Sequence, residues 1–265
     1  MNISVTTDYL KDKGDPSSCL GRIADAGFSH LHWCHHWNTD FLYSKWEIEQ
    51  IQKWLTGYGL QLQDLHGSVG PEKNWASPRE YERRAGVELV RNRIEMTARL
   101  GGDVTILHAP DKPGSAPLRK SLDELVVFAK ENGVRIAIEN GNFDVIRQLF
   151  SEYGSDYLGL CYDSGHGNMG DRGLEHLDSL KTRLISVHLH DNDGAKDLHN
   201  PLFSGTIDWP KLARVLAESA YKKCVSMEVT MPNSGIEDEA LFLNHAFETG
   251  MRFSRMIDDA KKEKA

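Results

Sequence analysis

Short apolar runs rich in β-branched and aliphatic residues recur along the chain at 3–7, 28–34, 60–66, 104–108, 134–139, 158–163, 184–190 and 225–229. Each has the length of a strand, with longer helix-like stretches between them. Ser44-Lys45-Trp46-Glu47 and Ser77-Pro78-Arg79-Glu80 have the Ser-x-x-Glu spacing of a capping box, in which two side chains satisfy each other's free backbone N–H groups. Asp208 stands before Trp209-Pro210, and Ser234 three residues before Glu237, as further helix starts. Gly27, Gly57 or Gly59, Gly101 or Gly102, Gly133 and Gly154 follow helical stretches, where a left-handed stop favours glycine.

Eight strand–helix cycles predict a parallel sheet with crossover helices, and eight units close into a barrel. Such a barrel takes about 250 residues. The 265-residue chain is therefore expected to be a single (β/α)8 TIM barrel spanning residues 1–265. An open dinucleotide-binding sheet would want a glycine-rich turn after its first strand, and Thr6-Thr7-Asp8-Tyr9 is not one.

Composition narrows the function. Hydrophobic residues make up 40% and charged residues 26%, as in a soluble domain with a sizeable core. A net charge of −8, with both signs spread along the chain, argues against non-specific binding to polyanions. Cys19, Cys34, Cys161 and Cys224 have no CxxC spacing and are expected as reduced thiols of a cytoplasmic protein. The sequence shows neither a signal-peptide pattern nor an apolar run of about 18 residues, so no membrane role is expected. Lys261, Lys262 and Lys264 read as a solvated helix end; homo-oligomerisation is left open.

The chemistry-bearing residues fall at the strand ends, where barrels of this kind build their active sites. Strands three to eight end in His66, His108, Glu139-Asn140, Asp163-Ser164-Gly165-His166, His188-Leu189-His190-Asp191 and Glu228. Side chains alternate along a strand, so Ala137, Cys161, Ser186 and Ser226 share the inward face with Glu139, Asp163, His188 and Glu228. These small residues leave room, while Ile138, Tyr162, Val187 and Met227 face the helices. Burying three carboxylates there without a cation would cost on the order of several kcal/mol per charge. A divalent ion removes that cost, and oxygen-rich ligation with one imidazole suits Mn²⁺, Mg²⁺, Co²⁺ or Zn²⁺. His30, His176 and His245 read as structural, and Trp46 and Trp54 as helix packing. His32, Trp33, His35, His36 and Trp37 could form an aromatic wall for a sugar.

Ile136-Ala137-Ile138-Glu139-Asn140, Tyr162-Asp163-Ser164-Gly165-His166, His188-Leu189-His190-Asp191-Asn192 and Gly205-Thr206-Ile207-Asp208-Trp209 resemble the xylose isomerase-like TIM-barrel superfamily. It contains sugar phosphate isomerases and epimerases as well as endonuclease IV-type enzymes. In the epimerase branch, the resemblance implies metal ligation by Glu139, Asp163, His188 and Glu228, with His166 on the substrate. In the endonuclease branch, it implies further ligands at His66, His108, His166 and the Asp197-Leu198-His199 pair. The sequence departs from both branches. Gly67-Ser68-Val69-Gly70 lacks residues that wedge into DNA, and the segment 200–205 lacks that branch's Gly-Glu-Gly. Ketose 3-epimerases carry an acidic residue and an Arg where this chain has Val145 and Gly194, with Asp144 and Lys196 nearby as substitutes.

The resulting expectation is a metal-dependent isomerase or epimerase of a small carbohydrate, working through an enediolate. Glu139 and Glu228 would move the proton, and His66, His108, His166 and His199 would line the substrate pocket. A lyase or dehydratase on the same scaffold, a multi-zinc phosphodiesterase and a non-catalytic binding barrel are the alternatives.

Overall fold

Each apolar run forms a strand within two residues of its expected bounds in the computed structural model, which describes residues 2–37, 41–67 and 72–263. The order is β1 (Ile3–Thr6), α1 (Ser17–Asp25), β2 (His30–Trp33), α2 (Lys45–Tyr58), β3 (Gln61–His66), α3 (Glu80–Arg99), β4 (Val104–His108), α4 (Ala116–Glu131), β5 (Arg135–Glu139) and α5 (Phe143–Glu152). It continues with β6 (Leu158–Asp163), α6 (Ser164–Met169), α7 (Gly173–Leu180), β7 (Leu184–His188), α8 (Trp209–Glu218), β8 (Val225–Met227) and α9 (Glu239–Lys262). Neighbouring strands pair in parallel in the order β7-β6-β5-β4-β3-β2-β1-β8. The open edges of β7 and β8 meet through Leu189, whose N–H donates to Ser226 O at 3.0 Å and whose carbonyl accepts from Glu228 N at 3.1 Å. The sheet thus closes into a (β/α)8 barrel. No helix among the described residues is long and apolar enough to cross a membrane.

The predicted alternation holds. Outward residues such as Ile138, Tyr162, Val187 and Met227 join the core between barrel and helices, while Val104, Ile106, Ala137, Cys161 and Ile185 form a separate cluster inside the barrel. Bulges at Leu31/His32 and Leu160/Cys161 shift the register there. All four cysteines are free.

Helix starts follow the sequence in part. Ser44 and Glu47 form the full capping box, and Asp208 caps α8 through Lys211 N at 2.9 Å. Ser77 does not cap α3. The helix starts at Glu80, and the Ser77 hydroxyl instead donates to Glu82 at 2.6 Å. Ser234 lies in a turn, donating to Met231 O, and Asp238 caps α9. Gly27, Gly59, Gly101 and Gly133 take positive φ, whereas Gly154 does not, because α5 ends on an extended Tyr153.

Gly86 lets α3 lie against the chain before it: a Cβ there would stand 2.2 Å from Trp75 N and 2.4 Å from Asn74 C. Backbone cannot yield as a side chain can. We expect Gly86→Ala to destabilise the fold by about 1–3 kcal/mol through overpacking, read as a lower urea midpoint. An unchanged midpoint would show that α3 is not seated as described.

Candidate active site at the barrel mouth

Glu139, Asp163, His188 and Glu228 come from β5, from β6, from β7 and from the residue after β8, and each is almost fully buried. Their nearest ligand atoms all lie within 4.8 Å of one another. His188 Nδ1 stands 3.4 Å from Glu139 Oε1 and 3.0 Å from Glu228 Oε2, between the two carboxylates proposed to carry protons. Asp163 does two jobs locally: it caps α6 by accepting from His166 N at 2.7 Å, and both its oxygens lie 3.1 Å from His190 Nε2. Asn140 fixes the same strand end, donating to Asp163 O and accepting from Asp163 N.

The remaining candidates ring this group. His66 Nε2 and His108 Nε2 lie 3.3 and 3.5 Å from Glu139 Oε2, and His166 Nδ1 lies 3.4 Å from Glu139 Oε1. Asp197 Oδ2 joins His166 Nε2 at 3.3 Å to His199 Nε2 at 3.2 Å. His199 is held from behind, its Nδ1–H donating to Glu228 O at 2.8 Å, on a backbone with φ of +49°, a conformation uncommon outside glycine.

Charge explains the balance of protonation. Burial pushes the carboxyls of Glu139 and Glu228 up, but the imidazoles outweigh it and hold both well below the ordinary carboxylate range. Burial likewise lowers His166 and His199, yet Asp197 and the neighbouring carboxylates raise them to about 9 and about 10. Asp197 itself is held low by these partners against the effect of burial. For His108, the pull of Glu139 is exceeded by burial together with His66 and His166, so its pKa falls.

The residues fit a cation. Glu139 Oε2 and both nitrogens of His188 are buried without a hydrogen-bond partner, an arrangement that polar groups avoid unless something else binds them. Glu139 or His188 belongs to three groupings: Glu139 with Asp163, His188 and Glu228; Glu139 with His66 and His108; and His188 with His32 and Glu228; a fourth joins Glu228 with His190 and His199.

Sequence reasoning gave Asp64 no role, placed His32 in an aromatic wall and quoted His190 at a strand end without assigning it a contact. Asp64 and His32 lie fully buried inside the barrel, with His32 Nδ1 2.7 Å from Asp64 Oδ1. The available signal was Asp64 two residues before His66, on the same inward face where other strands carry small residues. His190 stacks on His199 with centroids 4.0 Å apart. The segment after β2 is not a sugar-facing wall: strand alternation turns Trp33 outward into the helix layer, and His35 Nε2 pairs with Gly14 O. Trp46 and Trp54 both pack on Trp37, with ring centroids 5.6 and 5.1 Å away, and Trp46 keeps 62% of its surface exposed. Ser68, Val69 and Gly70, on which part of the contrast with DNA-wedging enzymes rests, lie outside the described residues. His176 is structural, bonded to Arg147 and packed on Phe143.

Two of the sequence motifs prove to be one unit. Asp191 accepts from Trp209 Nε1 at 2.8 Å and from Ile207 N at 3.3 Å, and a Cβ at Gly205 would strike Asn192 O at 2.1 Å. The loop carrying Asp197 and His199 is thereby tied at both ends to the strand that supplies His188.

Comparison with known proteins agrees with this architecture. The family described as xylose isomerase-like TIM barrel matches residues 20–246. The uncharacterized protein y4fM of Sinorhizobium fredii is 30% identical over 93% of this chain and 91% of its own. A probable endonuclease 4 of Thermotoga petrophila is 26% identical over 79% of this chain and 83% of its own. The crystal structure of a D-tagatose 3-epimerase-like protein shares the fold over 100% of both chains, with a TM-score of 0.80 and 21% identity. The chain belongs to the xylose isomerase-like TIM-barrel family.

Proposed function

We propose that this barrel is a divalent-metal-dependent isomerase or epimerase of a sugar, sugar phosphate or related keto-polyol. The observation that carries the reading is the convergence of Glu139, Asp163, His188 and Glu228, whose ligand atoms lie within 4.8 Å of one another and include buried atoms of Glu139 and His188 that make no hydrogen bond. The fold shared with a D-tagatose 3-epimerase-like protein supports a carbohydrate substrate. A divalent ion held by these four residues supplies Lewis-acid polarisation of a substrate carbonyl and its neighbouring hydroxyl. Glu139 and Glu228 flank His188 and stay ionised, so either can accept a proton from the acidified C–H and the other can return one. His66, His108, His166 and His199 orient the substrate's oxygens. Expulsion of a β-hydroxyl from the same enediolate would make the enzyme a lyase instead.

A second reading, a multi-zinc phosphodiesterase, is favoured by one specific feature. His66 and His108 gather with Glu139, and His166 and His199 gather around Asp197, on either side of the four-residue group. The likeness to a probable endonuclease 4 supports it.

Three measurements separate and test these readings. Chelation should lower the melting temperature of the purified protein, since a ligand bound only by the native state stabilises it. Asp163→Asn/His188→Ala with full metal content would refute the site. With Mn²⁺ and a panel of ketoses, sugar phosphates and keto-polyols in D₂O, deuterium should enter a carbon next to the carbonyl. Glu139→Gln and Glu228→Gln should each lower that turnover by at least the ~10²-fold typical of losing a general base. About three zinc ions per chain with cleavage of abasic DNA would instead establish the phosphodiesterase.

A fourth measurement uses pH. His166 and His199 titrate near 9 and 10, above the ordinary 6.5, so both are charged at neutral pH in the ion-free protein. Their pairing with Asp197 contributes stability in full below 6.5, and that contribution is lost as pH rises through 9 to 10. An ion bound by those nitrogens must displace the protons. Under the phosphodiesterase reading, zinc uptake at neutral pH therefore releases protons and tightens as pH rises. Under the isomerase reading the two imidazoles keep their protons, and calorimetry in buffers of different ionisation enthalpy should find no such release from them.

A further inference from the structure

We propose that His32 is a metal-ligating residue oriented by Asp64, forming with His188 and Glu228 a cation position beneath the four-residue group. The inference rests on the metal-dependent reading of the mouth and extends it one layer into the barrel.

The bulge at Leu31/His32 sets His32 opposite Asp64, and both side chains are fully buried within the barrel. Asp64 is held in turn, its Oδ2 accepting from the Ser186 hydroxyl, while its Oδ1 lies 2.7 Å from His32 Nδ1. An ionised carboxylate only accepts, so Nδ1 carries the shared hydrogen. The ring is thereby turned so that Nε2 faces Glu228 Oε1 at 3.7 Å.

That nitrogen is buried and has no hydrogen-bond partner among the described residues. A separation of 3.7 Å is too long for a hydrogen bond. It suits two ligands of one ion: atoms each about 2.1 Å from a tetrahedral zinc stand about 3.4 Å apart. His188, whose ring centroid lies 4.4 Å from that of His32, also makes no hydrogen bond through either nitrogen among the described residues, Nδ1 standing only in ion-pair range of Glu139 and Glu228. Ligand atoms of His32, His188 and Glu228 lie within 4.8 Å of one another. Glu228 offers one oxygen to each layer, Oε2 toward His188 at 3.0 Å and Oε1 toward His32. A carboxylate holding one nitrogen of an imidazole while the other points at a metal is the usual way proteins fix a histidine ligand. Two imidazoles and one carboxylate favour Zn²⁺ over Mg²⁺.

The test begins with the wild-type protein loaded with Zn²⁺ alone and crystallised. An anomalous zinc peak is expected about 2.0–2.3 Å from His32 Nε2. Co²⁺ titrations followed by visible absorption then compare His32→Gln and Asp64→Asn, with far-ultraviolet circular dichroism of the ion-free proteins as the folding control. Asp64→Asn should weaken Co²⁺ binding by about 10–100-fold, and His32→Gln at least as much with an altered spectrum. Zinc bound at Glu139, Asp163, His188 and Glu228 with His32 Nε2 out of reach would overturn this inference alone. A wild-type protein that takes up no divalent ion would overturn both it and the metal-dependent reading. Should the variants fail to fold, the wild-type anomalous map decides the matter.

Discussion

Glu139, Asp163 and Glu228 share one small, nearly dry space at the end of a closed barrel, and their mutual repulsion is the constraint around which the mouth is built. Isolated carboxylates in such surroundings would each cost on the order of several kcal/mol. Protonating them would remove the cost and the chemistry together. The protein instead surrounds them with imidazoles, which can answer negative charge in two ways. As imidazolium ions they carry the compensating charge themselves, and this is why His166, His188 and His199 titrate above the ordinary histidine value. As neutral ligands they hand that task to a divalent ion. The two states exclude each other at any one nitrogen, so proton occupancy and metal occupancy are linked throughout the site.

Strand geometry decides which groups take part. Period-two alternation sends Glu139 inward over Ala137, Asp163 over Cys161, His188 over Ser186 and Glu228 over Ser226. The interior is not uniform beneath them. Its β4–β7 side is apolar, with Val104, Ile106, Ala137, Cys161 and Ile185. Its other side carries Ser4, His32, Asp64 and Ser226, all fully buried. A polar inner wall gives up packing that an aliphatic layer would provide, and it reaches across to β7, where the Ser186 hydroxyl donates to Asp64.

That asymmetry also marks how far the sequence could be read. Strands, closure and the inward carboxylates were legible, because alternation over short apolar runs leaves little choice of face. His190 was visible as a neighbour of an expected ligand, and Asp197 as half of the Asp197-x-His199 pair that the endonuclease branch implies. Their contacts depend on the path of the loop from His190 to Trp209, which is set by Asp191 bonding Trp209. Asp64 and His32 were harder. They sit within strands rather than at their ends, and their pairing depends on the β2 bulge, which has no signature in local composition. Ser77 misled for a related reason: the Ser-x-x-Glu spacing was present, but Glu82, five residues on, captured the hydroxyl.

The distinction between proton transfer and phosphoester hydrolysis then reduces to how the outer imidazoles are occupied. Glu139 faces His188 on one oxygen and the His66–His108 pair on the other, so it would help hold a cation on either side or, with one side unoccupied, accept a proton there. With ions on both sides, its lone pairs would be committed and it would be a poor base, and the ions would supply activation of water as a nucleophile. With one ion, its outer oxygen stays free to meet a C–H, and His66 and His108 are left to bind hydroxyl groups. His108, at 45%, is the most exposed of these rings. Its lowered pKa leaves it neutral near pH 7, able both to donate and to accept. A neutral, half-exposed imidazole beside an ionised carboxylate is a better partner for a sugar hydroxyl than for a phosphate, whose charge the carboxylates would repel unless further cations were present.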